Sequence, residues 1–294
     1  MISFNRYYNL FNLVSVILVV SSILLLVFKG LNFGIDFKGG TLIELRSSDN
    51  KINVSSLRDS LNNMNLGDVS VKNFGNDKDF LIKFENNSKK NIIEEIKINL
   101  ENSFGNSFNF RRVENVGPKV SSELLRSGII AISVALAVML LYIWIRFEWQ
   151  FSLGAILALF HDVFVTLGVF SLFSLEINLS IIAAVLTIVG YSMNDTVVIY
   201  DRVRENLRKY SDIKIFELTN ISINETLSRT IITSATTLFA LLAIYFFGGE
   251  ILKGFSLAMI LGVVFGTYSS IYIANTVLVR LNVTQKTVLR EDKE

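Results

Sequence analysis

Two acidic residues stand where acids are expensive. Asp195 lies in the apolar run 177–200 (INLSIIAAVLTIVGYSMNDTVVIY) beside Asn194, and Asp162 follows His161 near the middle of the run 151–173. An ionised carboxylate in hydrocarbon costs at least about 2.5 kcal/mol, so such a residue faces a bundle interior or a water path by default. The next apolar run opens behind Arg229. Asp195 and Arg229 lie at similar depth on neighbouring spans, so a pair is geometrically possible. A carboxylate balanced between a neighbouring cation and a dry surrounding can gain or lose a proton as helices move. The chemistry this favours is coupling to an ion or a proton. The plainer alternatives are a hydrogen-bonded helix contact for Asp195, with Ser192, Asn194 and Thr196 as company, and an arginine that snorkels to the interface for Arg229. His161 is the one side chain with an ordinary pKa near neutrality. With Asp162 it reads equally as a packing pair or as a functional one.

The composition is that of an integral membrane protein. Of 294 residues, 51% are hydrophobic and 18% charged, with a mean hydropathy of +0.48. Ordinary soluble domains are less apolar. The net charge of +2 gives no reason to expect nucleic acid as a partner. Without cysteine and with one histidine, disulfides, thiolate metal sites and multi-histidine sites are excluded within the chain. No HExxH, GxSxG, Walker or GxGxxG pattern is present, so neither an enzyme nor a cofactor is expected.

Six runs are long enough to cross a bilayer as helices, which takes about 20 residues. They are 10–28, 127–145, 151–173, 177–200, 230–247 and 255–279. The first reads as a retained span, because its apolar stretch exceeds a signal-peptide core. Basic residues gather in 201–228 (Arg202, Arg204, Arg208, Lys209, Lys214) and in the tail (Arg280, Lys286, Arg290, Lys293). By the positive-inside rule both termini are then cytoplasmic and the long segment after the first span is external.

That segment alternates in the order β-α-β-β-α-β, which predicts a ferredoxin-like α+β domain. Strands are expected at 41–45, 68–74, 79–84 and 108–113, with a hairpin turn at 75–78. Helices are expected at 54–64, capped by Asn53, and at 88–104, where Ile92, Ile93, Ile96 and Leu100 share a face. The expected organisation is a cytoplasmic N-terminus and first transmembrane helix (1–28), a periplasmic α+β domain (29–118), transmembrane helices 2–6 (119–280) and a cytoplasmic tail (281–294). Such an arrangement looks like half of a transporter that needs a second half. Small residues every fourth position on the last span, at Ala258, Gly262, Gly266, Ser270 and Ala274, would let another helix approach closely.

Five stretches carry a family resemblance: GLNFGIDFKGGT (30–41), VGPKVSSELL (116–125), ALFHDV (158–163), GYSMNDTVVIYDRVREN (190–206) and LSRTIITS (227–234). They resemble the SecF branch of the SecD/SecF protein-export family, within the resistance–nodulation–division superfamily. The resemblance implies a bacterial inner-membrane protein whose heteromeric partner is SecD, giving twelve spans together. It implies the SecYEG channel, YajC and YidC as further neighbours, a translocating preprotein as the object of the work, and protons as its drive. Asp195 and Arg229 match the intramembrane Asp and Arg that the family uses in proton transport. Gly34, Asp36, Gly39 and Gly40 match its junction motif. His161, Asp162 and Asn194 are secondary intramembrane polar positions without an assigned role. Two rival readings remain. Half of a small-molecule or lipid exporter of the same superfamily would need a larger external region with an apolar pocket. A passive assembly factor would show no proton dependence.

Overall fold

The computed structural model describes residues 1–49, 52–64, 66–84, 92–105, 108–210 and 212–289. The chain divides into two compact units, one of residues 33–129 and one of residues 1–32 with 130–294.

The smaller unit is an α+β layer. After a short strand, β1 (Asn32–Phe33), and a single helical turn, α2 (Ile35–Lys38), come β2 (Gly40–Ser47), α3 (Val54–Asn62), β3 (Val69–Phe74), β4 (Asn76–Phe84), α4 (Ile92–Phe104) and β5 (Phe108–Val116). The sheet order is β3-β4-β2-β5, and every pair is antiparallel. Cross-strand pairs such as Ile43–Ile82, Leu45–Phe80 and Val71–Ile82 put one apolar face together. Leu57 and Leu61 of α3 and Ile96 and Leu100 of α4 close over it, and all four are fully buried. Each such side chain contributes roughly 1.5–3 kcal/mol.

Asn53 caps α3: its side chain accepts from the Ser56 amide, and Ser56 accepts from the Asn53 amide in return. The expected four-residue hairpin turn at 75–78 is shorter than that. β4 already begins at Asn76, and Gly75, at φ +85°, makes the reversal with a register shift beside it. Of the helix expected over 88–104, residues 88–91 lie outside those described. Arg46 grips Asp79 through both guanidinium donors, at 2.6 and 2.7 Å, and Arg111 stands 3.6 Å away. The Arg46 guanidinium holds the Asp79 carboxyl below the usual carboxylate range, against the opposing effect of burial. A depressed folded pKa stabilises the fold above the unfolded value of about 3.9 and ceases to do so as pH falls through the folded value. Protection factors of the β2–β4 amides, which correct for the pH dependence of intrinsic exchange, should therefore fall on acidification below about pH 4, and less so in Asp79→Asn.

Gly40 must be glycine. Its φ is +133°, and an added Cβ would stand 2.8 Å from the Phe84 carbonyl oxygen. Gly40→Ala should destabilise this unit by about 2 kcal/mol or more, seen as faster exchange across β2 and β4.

The larger unit holds the apolar helices. They are α1 (Tyr8–Phe28), the C-terminal part of α5 (Pro118–Arg146), α6 (Trp149–Leu172), α7 (Leu179–Lys209), α8 (Ile215–Phe247) and α9 (Glu250–Ser269), with a two-residue strand β6 (Glu176–Ile177) before α7. A π-helical turn at Ser270–Ala274 joins α9 to α10 (Asn275–Arg280), and α11 (Gln285–Leu289) follows. Among the described residues, six helices are long and apolar enough to span a membrane. About half of the apolar window is buried in α6 (56%), α7 (50%) and the last span (56%), against 11% in α1 and α5 and 17% in α8. The trio α6, α7 and α9 is thus the inner layer.

Three helices overrun their expected spans, α5 by starting at Pro118 in place of Ser127. α7 continues nine residues past Tyr200 and α8 starts fifteen before Thr230, so most of the basic stretch 201–228 is helical. The two extensions hold one another: Arg202 pairs with Glu205 and Glu225, and Asn206 donates to Ser222 and Glu225. Such pairs sustain helix outside the apolar window, which hydropathy alone does not register.

Candidate functional site

Close approach of α7 and α9 comes first. Gly262 leaves room for Ile188 and Gly266 for Ser192, while Ala258, Ser270 and Ala274 complete a buried stripe. The four-residue repeat of small residues therefore packs within this chain, against α7. In a membrane, small residues allow the backbone approach and van der Waals packing that hold helices together.

Hydroxyl groups line this seam and two carboxylates flank it. Asp162 of α6 is fully buried. Its Oδ2 accepts from Ser192 of α7 at 2.5 Å and from Ser269 of α9 at 2.8 Å, and its Oδ1 lies 2.9 Å from His161 Nδ1. His161 is buried as well, with its ring against Phe265 and Tyr268, and its Nε2 has no hydrogen-bond partner. Asp195, one turn beyond Ser192 on α7, is 3% exposed. Its Oδ2 accepts from Thr267 of α9 at 3.3 Å, and Thr267 in turn lies 2.8 Å from Ser234 of α8. Between the acids, Thr196 and Ser270 pair at 2.7 Å.

The π turn begins at Ser270, beside this polar layer. Such turns leave backbone carbonyls without their regular partners. Here Asn275 donates to the Ser270 carbonyl at 2.7 Å and Tyr200 to the Ala274 carbonyl at 2.9 Å.

The residues singled out in the sequence are only partly brought together. Asp195, His161 and Asp162 belong to one seam. Arg229 is exposed on α8 and forms no ion pair with Asp195 within 4 Å among the described residues. Asn194 is exposed. Gly34, Asp36, Gly39 and Gly40 sit at α2 and the start of β2 in the smaller unit. There Gly34 precedes the helical turn, Asp36 is in its first turn, and Gly39, at φ +79°, ends it. The hydroxyl partners Ser269, Thr267 and Ser234 escaped the sequence reading. Their one signal is polar side chains recurring in apolar helices at positions facing the acids.

Comparison with known proteins gives the same frame. Residues 96–284 match the description "Protein export membrane protein SecD/SecF, C-terminal", and residues 24–50 match "SecD/SecF GG Motif". A protein translocase subunit SecF of Rickettsia bellii is 48% identical over 267 residues, covering 90% of this chain and 88% of that one. One from Cereibacter sphaeroides is 45% identical over 279 residues, covering 92% and 86%. The crystal structure of SecDF, a translocon-associated membrane protein from Thermus thermophilus, superposes with a TM-score of 0.86 at 37% identity. It covers 95% of this chain, and the chain spans only 38% of that longer one. A junction with two consecutive glycines, six apolar helices and a match over most of the length lead to one conclusion: the chain belongs to the SecD/SecF family of protein-export membrane proteins.

Proposed function

We propose that the chain is the SecF-type half of a proton-driven accessory complex of the protein translocase. A SecD-type chain supplies the other half of the bundle, and SecYEG, with YajC and YidC, is the machinery beside which it works. The relatives named above are translocase subunits or translocon-associated, so the exporter reading is set aside. The protein sits in the bacterial inner membrane with both ends cytoplasmic, and residues 29–118 form the periplasmic domain. Its β-α-β-β-α-β order and β3-β4-β2-β5 sheet support a ferredoxin-like fold for it. That domain acts on the emerging preprotein while protons cross the bundle.

The observation that carries the reading is Asp195. It is a buried carboxylate on the α7–α9 seam, where the Thr267 hydroxyl donates to it at a long 3.3 Å and Ser234 of α8 stands beside Thr267. A weakly held acid can change protonation when the helices around it shift. Arg229 assists through charge. Because no guanidinium fork closes on Asp195 among the described residues, lysine should serve nearly as well.

The experiment is preprotein translocation into inverted vesicles, with and without a proton-motive force, in complexes carrying variants of this chain. Arg229→Lys should keep most of the force-dependent gain and Arg229→Ala should lose at least half of it, with insertion unchanged in both. Equal gains in wild type and Arg229→Ala would make Arg229 an interfacial anchor only. A wild-type complex indifferent to the proton-motive force would leave the passive assembly factor as the better reading.

A further inference from the structure

We propose that His161 and Asp162 form a second proton-binding centre, across the α7–α9 seam from Asp195, with His161 Nε2 as the atom that takes and releases the proton. The inference rests on the proton-coupled reading above and extends it to a site with no assigned role.

The geometry is that of a built acceptor. Two hydroxyl donors and one ring nitrogen converge on Asp162: Ser192 at 2.5 Å, Ser269 at 2.8 Å and His161 Nδ1 at 2.9 Å. With Nδ1–H turned to Asp162, Nε2 is left as a lone pair. It is buried and has no hydrogen-bond partner among the described residues. Leaving a buried polar atom unpaired costs roughly 1–3 kcal/mol. A purely structural pair gains nothing from that cost, since an amide side chain could hold Asp162 equally well. An open nitrogen beside a fixed carboxylate is what a proton needs. The proton adds to the Nε2 lone pair, Nδ1–H stays on Asp162, no other bond breaks, and the imidazolium charge is balanced by the carboxylate.

Among the described residues, the elements packed against α6 carry few charged groups; the π turn holds Tyr272, and α10 ends in Arg280. α1 carries no Asp, Glu, Lys or Arg, and α6 has none besides Asp162. On α9 the neighbours are Phe265, Tyr268 and Ser269, with Glu250 and Lys253 far off at its start. Tyr268 donates its hydroxyl to the Phe11 carbonyl at 2.6 Å and lies 2.7 Å from Ser15. On α7 the ionisable groups flanking Ser192 are Tyr191 and Asp195. Both acids hold the same two helices: Asp162 through Ser192 and Ser269, and Asp195 through its own backbone and Thr267. Charge placed on one centre therefore bears on the helices that position the other.

The test uses the fact that His161 is the only histidine. Complete chain labelled with 15N-histidine, in lipid nanodiscs, is followed by solid-state NMR from about pH 5 to 8, the range in which imidazole can change charge. The expected result is a Nε2 signal that moves from the bare to the protonated position while Nδ1 remains protonated. Asp162→Asn should lose that response, because nothing then balances an imidazolium in the dry seam. Asp195→Asn should keep it, which separates this centre from the reading of Asp195. A ring fixed in one state over the whole range, or one that titrates unchanged in Asp162→Asn, overturns the proposal. Should Asp162→Asn fail to insert, Ser269→Ala is read instead, since it removes one donor and leaves the charge. A displaced midpoint supports the centre, and an unchanged one overturns it.

Discussion

Asp195→Asn should abolish the force-dependent part of protein translocation while leaving insertion, partner assembly and the force-independent rate intact. The substitution keeps the shape, and an amide oxygen can still accept from Thr267, now at 3.3 Å. What it removes is the ability to carry a proton. The energetic scale sets the size of the loss. One elementary charge crossing 100 mV is worth about 2.3 kcal/mol, or a bias of about 50-fold in a two-state equilibrium. Moving such an equilibrium from 1:99 to 99:1 takes about 5.5 kcal/mol. One proton at that potential biases a conformational step without driving it to completion, so the full stroke needs more protons, a higher potential or an added pH gradient. The variant should accordingly lose a gain of up to about 50-fold for each proton routed through Asp195. Translocation that rises with proton-motive force as steeply in Asp195→Asn as in wild type would exclude Asp195 from the path.

The chemistry of this chain was easier to foresee than its geometry. Acids in apolar runs are conspicuous because hydrocarbon makes them costly, so Asp195 and Asp162 could be found by inspection. What holds them could not. Ser192, Ser269, Thr267 and Ser234 are unremarkable residues in a helix, and only packing decides which face the acids. The lengths of α7 and α8 were misjudged for a related reason. Hydropathy ends a span where charges begin, whereas Arg202, Asn206, Ser222 and Glu225 bind the two helices together beyond that point. The π turn at Ser270–Ala274 left no sequence signature either, since nothing in SIYIA breaks a helix. By contrast, β-α-β-β-α-β alternation and the Asn53 cap were plain, because strand period and cap chemistry are local.

Gly262→Ala should damage the protein more than any other single methyl group on this seam, and it should cost less in an Ile188→Ala background than in the wild type. An added Cβ at Gly262 would stand 2.2, 2.6 and 2.9 Å from Cγ1, Cδ1 and Cγ2 of Ile188. Ile188 is buried, 1% exposed, and β-branched, so its χ1 has little freedom to turn aside. Overpacking of this kind costs about 1–3 kcal/mol. Ile188→Ala alone removes the three clashing atoms and leaves a cavity, at about 2–5 kcal/mol. In the double variant the new methyl enters the vacated space, so the two effects should fall short of their sum by about 1–3 kcal/mol. Thermal unfolding of the detergent-solubilised chain measures all four corners of the cycle. Translocation should follow the same order, because the seam that Gly262 closes also sets the distances from Ser192 and Ser269 to Asp162. Strict additivity would mean that α7 and α9 can separate at Gly262 without strain. The acids would then have to be held in place by something other than the close approach of these two helices.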